Sequence, residues 1–195
     1  RDMDTSLILS NISKHISLDE RERAFLTSLL EPKKYKAKQF LLRESEVCRY
    51  LFFVNKGCLR GFTTDKNGFE HVLSFAPPDW WMADLYSLIT QRPAMLNIQA
   101  LEATEVWMLS KPNQERLYTE VPKFERFFRI IAENSLVSNQ QRLIDNLSLT
   151  AEERYIHFSK KYPSLVHCLP QKQIAAYIGV TPEFFSKMKR GLLRK

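Results

Sequence analysis

The feature that most restricts how this chain can fold is the stretch 169–193, which reads LPQKQIAAYIGVTPEFFSKMKRGLL. Its first apolar residues have helical spacing and stop at Gly179, the residue type that helix C-termini favour in a left-handed conformation. Thr181 and Pro182 then supply an N-cap and a proline at the first helical position. The sequence therefore predicts two short helices joined by a tight turn. Such a helix-turn-helix can place its second helix in the DNA major groove, although an ordinary hairpin of two helices would have a similar turn.

The distribution of charge favours the DNA-binding interpretation of this hairpin. Residues 1–110 contain equal numbers of acidic and basic side chains, so the formal charge of +7 lies entirely in residues 111–195. The segment 166–195 contains Glu183 as its single acid, and its basic residues are Lys172, Lys187, Lys189, Arg190, Arg194 and Lys195. A basic excess centred on a helical hairpin is expected of a contact with the phosphates of double-stranded DNA. A solvated basic tail is the alternative, but it would not carry the apolar periodicity.

Composition excludes several classes of protein. The chain has 195 residues, of which 44% are hydrophobic and 12% aromatic, so it can bury a core and is not a disordered chain. It shows no signal peptide and no apolar run of about 20 residues, which predicts a cytoplasmic protein without a membrane partner. Cys48, Cys58 and Cys168 are far apart and share no ligand spacing with the histidines, so we expect reduced thiols and no metal site. A redox or metal role of the thiols is the alternative.

Residues 34–109 have the pattern of an antiparallel β-domain. Short runs of aromatic and β-branched residues alternate with turn residues, among them Gly57 and Gly68, which can adopt the positive φ of a hairpin turn. The predicted strands cover residues 50–55, 58–64, 69–75, 96–103 and 105–109, with one or two helical turns at 83–90. Many short strands at near-regular spacing are typical of a sandwich or barrel. A short amphipathic helix is predicted before them, over residues 17–30, with Ser17 as its N-cap.

The remainder of the chain is predicted to be helical. The run after Pro122 has no internal proline or glycine and many apolar residues, so a long helix over 123–147 should pack on the β-domain, on a second copy of itself, or on both. Thr150 begins a capping box for another helix that extends to about Tyr162. The predicted domains are therefore 1–121, 122–147 and 148–195.

The order of these segments resembles the Crp/Fnr superfamily of bacterial transcription regulators over roughly residues 16–193. The segments that carry the resemblance are Asn55-Lys56-Gly57-Cys58-Leu59-Arg60, Gly68-Phe69-Glu70, Pro78-Asp79-Trp80-Trp81 and the C-terminal hairpin. The resemblance implies an α+β fold with an N-terminal double-stranded antiparallel β-roll, a long dimerisation helix and a C-terminal helical winged helix-turn-helix domain. It also implies a homodimer on a pseudo-palindromic operator, with RNA polymerase as a further partner, and no enzymatic activity.

The resemblance assigns DNA contacts to the two helices of the hairpin. Base reading falls to the start and exposed face of the second helix, at Pro182, Glu183, Ser186, Lys187 and Arg190. Phosphate contacts fall to Gln171, Lys172, Thr181 and Lys189. Pro182 stands where cyclic-AMP-type regulators usually carry an arginine, so we expect a different operator. For each lysine, a merely solvated role is the alternative.

The resemblance also identifies a ligand cassette that this chain alters. A typical cyclic-AMP binder has Gly-Glu-Leu at the start of a short helix and, about ten residues later, Arg-Ser to hold the cyclic phosphate. Here the corresponding segments are Ala83-Asp84-Leu85 and Ala94-Met95, and Arg92 is followed by Pro93. Since the phosphate loses its cation, we expect no cyclic AMP and no cofactor, while another small effector stays an alternative. The candidate pocket residues are Trp81, Asp84, Leu85, Arg92, Met95, Val137 and Ser138.

The sequence also bears on what fills the pocket, on metal-based sensing and on other functions. The favoured view of the pocket is that Trp80, Trp81, Tyr86 and Met95 fill it as core. An iron–sulfur sensor is disfavoured because no cysteine precedes Cys48, and a haem ligand at His71 is less favoured than a surface or core histidine. A sensor that acts through protein contacts without specific DNA binding is the alternative function. No nucleophile, base or metal-ligand spacing supports an enzyme, so no catalytic residue is assigned.

Overall fold

The computed structural model describes residues 3–194, which form two compact units. The first unit comprises the chain up to Gly61 together with Phe75–Asn134, and the second comprises Phe62–Ser74 together with the chain from Ser135 onward. The long helix and one β-hairpin each contribute residues to both units. The division into three domains stays a prediction. No helix in the described part of the chain is long and apolar enough to cross a membrane.

The β-strands form the antiparallel roll that the sequence predicted. The strands are β1 Glu31–Tyr35, β2 Phe40–Leu42, β3 Tyr50–Lys56, β4 Leu59–Thr64, β5 Glu70–Ala76, β6 Trp81–Met82, β7 Asn97–Ala100 and β8 Thr104–Ser110. One four-stranded sheet has the order β1-β8-β3-β6 and the other has the order β2-β7-β4-β5. The register pairs Phe53 of β3 with Trp107 of β8 and with Trp81 of β6.

The helices lie before, within and after the roll. They are α1 Ser6–Ser13, α2 Glu20–Leu29, α3 Leu85–Thr90, α4 Lys111–Glu120, α5 Lys123–Ser148, α6 Ala151–Lys161, α7 Gln171–Ile178 and α8 Pro182–Leu192. The α+β fold class and the long helix are confirmed. Residues 111–194 contain helices and turns but no strand, so this part of the chain shows the helical portion of the predicted C-terminal domain and no wing.

Local chemistry explains why several elements begin and end where the sequence predicted. Gly57 has a φ of +94°, and a Cβ built there would lie 2.5 Å from the carbonyl oxygen of Ala103. Both the backbone conformation and the lack of space therefore require glycine in the turn before β4. Gly68 has a φ of +83° in the next hairpin turn. The Thr150 hydroxyl accepts a hydrogen bond from the Glu153 N–H at 3.2 Å, and Glu153 accepts one from the Thr150 N–H at 2.8 Å. The predicted capping box of α6 is confirmed.

The predicted start of the first amphipathic helix is wrong. Helix α2 begins at Glu20, and its N-cap is Asp19 rather than Ser17. The Asp19 carboxylate accepts from the Glu22 N–H at 2.8 Å, and the Glu22 carboxylate accepts from the Asp19 N–H at 3.0 Å. Asp19 and Glu22 have the spacing of a capping box, and this reciprocal pair decides where the helix starts.

Each unit has its own core. In the first unit, Phe124, Phe127 and Phe128 of α5 are buried in the same apolar cluster as the strands of the roll. In the second unit, Phe158, Tyr162 and Tyr177 form a group of aromatic rings with centroid separations of 5.2 to 5.8 Å. This second core fixes α6 and α7 together and supports the hairpin of α7 and α8.

Candidate nucleic-acid interface and effector cassette

The turn between α7 and α8 has the geometry that the sequence predicted. Gly179 adopts the left-handed conformation, with φ 86° and ψ 34°, and its N–H donates to the Ala175 carbonyl at 2.8 Å. Nothing lies within 4 Å of a Cβ built at Gly179, so the backbone conformation and not a lack of space favours glycine. The Thr181 hydroxyl accepts from the Phe184 N–H at 3.2 Å, and Pro182 is the first helical residue. The predicted N-cap is confirmed.

Helix α8 buries one face and exposes the other. Phe185 is fully buried, and its ring centroid lies 5.2 Å from that of Tyr155 on α6. The opposite face is exposed and carries four of the residues predicted to read bases: Glu183, Ser186, Lys187 and Arg190. Pro182 is exposed at the start of the helix. One rigid helix thus presents a carboxylate, a hydroxyl and two cations on a single surface, which we call the reading face.

The residues predicted to contact phosphates occupy different positions. Gln171 and Lys172 are exposed in the first turn of α7, and Thr181 is exposed at the N-cap of α8. Lys189 is only partly exposed, and its ammonium lies 5.9 Å from the Tyr155 ring centroid and 5.7 Å from that of Phe185. Lys189 therefore lies at the edge of the α6–α8 contact, away from the reading face.

The cassette, residues 83–96, is held closed by one carboxylate. Asp84 is 2% exposed and is the N-cap of α3. One of its oxygens accepts from the Ser87 N–H at 3.0 Å, and the other accepts from the N–H groups of Met95 and Leu96 at 2.8 and 3.0 Å. The Ser87 hydroxyl donates to the Arg92 carbonyl at 2.6 Å and accepts from the Cys48 N–H at 2.8 Å. The start of α3 and the following loop are therefore tied to each other by their own polar groups.

These residues do not fit a cyclic phosphate. A phosphate bound by the cassette would need free backbone donors, and Asp84 already accepts from the N–H groups of Met95 and Leu96. It would also lie beside the Asp84 carboxylate, which is a charge of the wrong sign, while the positions matching Arg-Ser carry Ala94 and Met95. Arg92 is exposed, and its main-chain carbonyl accepts the hydrogen bond from the Ser87 hydroxyl. The Asp84 carboxylate thus accepts the hydrogen bonds of nearby N–H groups that could otherwise meet an anionic ligand.

The prediction that aromatic and methionine side chains fill the pocket is wrong for two of them. Tyr86 is 44% exposed and Met95 is 61% exposed, and Leu85 is also exposed. Helix α3 buries Ser87 and Leu88 and leaves Leu85 and Tyr86 exposed, and Met95 lies in the loop that follows the helix. Trp80 and Trp81 are partly buried against the core cluster of the first unit.

Trp81 belongs to the contact between the roll and the start of α5. Its ring centroid lies 5.1 Å from that of Phe53, 6.1 Å from that of Phe127 and 5.7 Å from that of Phe128. Its indole N–H donates to the Asn11 side chain at 2.9 Å. Trp81 therefore has a full set of structural partners.

The two pocket candidates on α5 lie in the second unit. Val137 is exposed, and the Ser138 hydroxyl accepts from the Lys161 ammonium at 2.5 Å. Burial, followed by the charge of Arg142, lowers the pKa of Lys161. Ser138 thus has a partner within its own unit.

Sequence reasoning missed Arg142, a second polar centre in the second unit. Its guanidinium donates to the carbonyls of Val72 at 2.6 Å and of Tyr177 at 2.7 Å, and it lies 3.4 Å from the Tyr177 ring centroid. Arg142 thereby joins the β4–β5 hairpin, α5 and α7. Its Nη1 atom is buried without a hydrogen-bond partner. No sequence pattern marks this arginine, because its acceptors are main-chain carbonyls 70 and 35 residues away.

The histidine and cysteine positions have ordinary environments. His71 is exposed, and its Nε2 lies 2.7 Å from the Asp65 carboxylate across the hairpin turn. This contact comes first among the causes that lower the pKa of Asp65. Cys48 and Cys58 are buried and Cys168 is exposed. Across residues 3–194, no three His, Cys, Asp or Glu side chains are grouped to hold a metal ion.

The second half of α5 carries an apolar face that its own chain leaves exposed. The exposed side chains are Leu136, Val137, Leu143, Ile144 and Leu147. Leu136 and Leu143 are seven residues apart, as are Val137 and Ile144, so they lie along one side of the helix. We call this set the α5 stripe.

Comparison with known proteins agrees with this architecture. Residues 32–120 match the family of cyclic nucleotide-binding domains. The anaerobic regulatory protein of Haemophilus influenzae is 24% identical over 194 residues, which cover 92% of this chain and 74% of that protein. The chain is a homologue of Crp/Fnr-type transcription regulators.

Solved structures show the same fold. FixK2 from Bradyrhizobium japonicum has a TM-score of 0.74 and 18% identity, with 85% of each chain covered. The c-di-GMP responsive global regulator CLP from Xanthomonas campestris has a TM-score of 0.72 and 14% identity, with 90% of this chain and 92% of that chain covered. The likeness therefore extends through both units.

Proposed function

We propose that this chain is a sequence-specific DNA-binding regulator of transcription that acts as a homodimer on a pseudo-palindromic operator. The observation that carries the proposal is the reading face of α8, backed by the buried ring of Phe185. A helix that is anchored on one side by a buried ring and exposes hydrogen-bond donors and acceptors on the other side meets the requirements for reading base edges in the major groove. The regulator works in the cytoplasm, it is not an enzyme, and RNA polymerase is its further protein partner.

Individual residues on this surface have distinct roles in the proposal. Glu183 accepts from a cytosine amino group, and Lys187 or Arg190 donates to guanine. Gln171, Lys172, Thr181 and Lys189 contact phosphates, which position the protein without specifying sequence. The basic excess of the C-terminal segment supports this arrangement. Each cation that contacts a phosphate releases counterions from the DNA and so increases the affinity.

The α5 stripe supports the homodimer. Exposed large apolar side chains with heptad spacing are unfavourable in water and favourable against a second copy of the same helix. A twofold pair presents two α8 helices to successive major grooves, about 34–36 Å apart, and so requires a palindromic site.

Operator selection from random DNA duplexes tests DNA recognition. The wild-type chain should enrich a palindrome, and Lys187→Ala should lose that enrichment. Lys66→Ala is the matched control, because Lys66 is exposed in a hairpin turn distant in sequence from α8. The absence of any enriched sequence would overturn the proposal and favour the alternative, a sensor that acts through protein contacts.

Sedimentation velocity tests the dimer. Leu143→Asp places a charge in the middle of the α5 stripe and should convert the dimer to monomer, with loss of operator affinity. Ile89→Asp is the control, because Ile89 is equally exposed but lies on α3. A wild-type chain that sediments as a monomer at micromolar concentration would contradict the proposal.

The closed cassette leads us to propose that the roll does not take cyclic AMP. Thermal-shift measurements with cyclic AMP, cyclic GMP and cyclic di-GMP should show no stabilisation. A rise of several degrees with any of them would mean that the Asp84 contacts open to admit a phosphate.

A further inference from the structure

Two neighbouring phenylalanines of α8 have opposite environments. Phe185 is fully buried against α6, whereas Phe184 is 53% exposed. The second unit therefore needs only one of the two rings for its core. Phe184 is a large aromatic side chain that is half exposed in a segment otherwise rich in charge.

The backbone of Phe184 is fixed at the leading end of the helix. Its N–H donates to the Thr181 hydroxyl at 3.2 Å, which places it in the first turn of α8. It directly follows Glu183, and Lys187 lies one turn further along on the same side. Phe184 is thus an apolar side chain at the edge of the reading face, and it borders the residues best suited to contact base edges.

We propose that Phe184 reads thymine by packing against its 5-methyl group, so that each half-site carries a thymine beside the base pairs that Glu183 and Lys187 read. This inference rests on the proposed function. The thymine methyl is the apolar group that base pairs present in the major groove, and phenylalanine is one of the side chains that can contact it. The polar neighbours of Phe184 determine which base pairs lie against α8. The Phe184 ring adds a preference for thymine that hydrogen bonds alone would not supply.

Removing the methyl groups one by one tests the contact. The operator enriched by the wild-type chain is resynthesised with deoxyuridine in place of each thymine in turn, which deletes the methyl and leaves the base pairing unchanged. Dissociation constants are measured at one fixed salt concentration. One thymine in each half-site should be sensitive, with a loss of about fourfold per half-site, the value of one buried methyl-sized group.

The variant Phe184→Ala should bind the thymine and uracil duplexes equally at that position. Phe184→Leu, which keeps an apolar side chain, should retain part of the discrimination, and Lys187→Ala should retain the thymine preference in whatever binding remains. Because Phe184 is half exposed, Phe184→Ala and Phe184→Leu should unfold close to the wild-type temperature.

The outcomes separate the two proposals. If the wild-type chain selects an operator but no thymine methyl affects binding, or if Phe184→Ala stays sensitive to the same methyl, the thymine contact is overturned and DNA recognition stands. If no operator is selected at all, both proposals fail.

Discussion

The cassette and the reading face are opposite solutions to the placement of polar groups. In the cassette, Asp84 accepts three main-chain N–H groups and is nearly inaccessible to solvent. On the reading face, Glu183, Lys187 and Arg190 all lie toward solvent on a helix anchored from behind. A site that satisfies its own polar groups stabilises the fold but has none left for a ligand, while a site that leaves them exposed keeps them for a partner. The comparison is why we assign the proposed function to the second unit.

The largest expected effect comes from removing the internal anion. Asp84→Ala leaves the N–H groups of Ser87, Met95 and Leu96 without their acceptor, and it should lower the free energy of unfolding by about 3–5 kcal/mol. Urea denaturation measures this change. Glu183→Ala on the reading face is the matched control and should change stability by less than about 0.5 kcal/mol. Equal effects of the two substitutions would show that the cassette is not closed by Asp84.

Thiol labelling compares the same two regions kinetically. Cys48 is buried next to the cassette, and burial is the first of the causes that raise the pKa of its thiol. Because the thiolate is the reactive form, a raised pKa and burial both slow labelling, and Cys168 should react about a hundredfold faster than Cys48 at pH 8.

Two variants check this difference in labelling. Cys168→Ser should abolish the fast phase, and Asp84→Ala should accelerate labelling of Cys48 by loosening its neighbour Ser87. Similar rates at Cys48 and Cys168 in the wild-type chain would contradict the closed cassette.

Arg142 extends the comparison, because it is a partly buried polar centre within the second unit. Arg142→Met should lower the free energy of unfolding of that unit by about 2 kcal/mol, through the loss of two hydrogen bonds and the contact with the Tyr177 ring. Arg142→Lys keeps the charge but loses the planar fork, and it should recover only part of the loss. A change below about 0.5 kcal/mol would show that the hairpin and α7 do not depend on this arginine.

The titration of Lys161 reports the effect of the Arg142 charge independently. Burial and the Arg142 charge lower its pKa in the folded chain, so the unfolded chain binds more protons between the folded value and the ordinary value near 10.5. Stability therefore increases as the pH rises through that interval. Arg142→Met should raise the Lys161 pKa and narrow the interval, which NMR titration of the lysine can measure.

Local chemistry made much of this architecture predictable. Gly179 and Thr181 fix the turn between α7 and α8, Thr150 fixes the start of α6, and Gly57 and Gly68 fix two turns of the roll, because each acts on residues within a few positions of itself. The same locality misled the prediction at α2, where Ser17 was predicted as the N-cap and Asp19, two residues further on, forms the reciprocal pair with Glu22.

The features that sequence did not predict depend on contacts between distant residues. The Asp84 carboxylate meets N–H groups 11 and 12 residues away, and Arg142 meets a carbonyl 70 residues away. Tyr86 and Met95 are predicted inside, but the residues that α3 buries are Ser87 and Leu88. Helical periodicity alone predicts the exposed side of α8, because the burial of Phe185 determines which side of the helix faces solvent.

The smallest expected effect concerns the salt dependence of DNA binding, and it tests whether exposed cations are phosphate contacts or merely solvated. Lys172→Ala should reduce the slope of log K against log salt concentration by about 1 per subunit, hence by about 2 for a dimer, without changing the selected operator. Lys66→Ala, exposed in a hairpin turn, should leave the slope unchanged. Lys187→Ala should alter the preferred bases as well as the affinity, because base contacts specify sequence and phosphate contacts do not. If Lys172→Ala and Lys66→Ala behave alike, the first turn of α7 is solvated in the complex, and the DNA contacts are confined to α8.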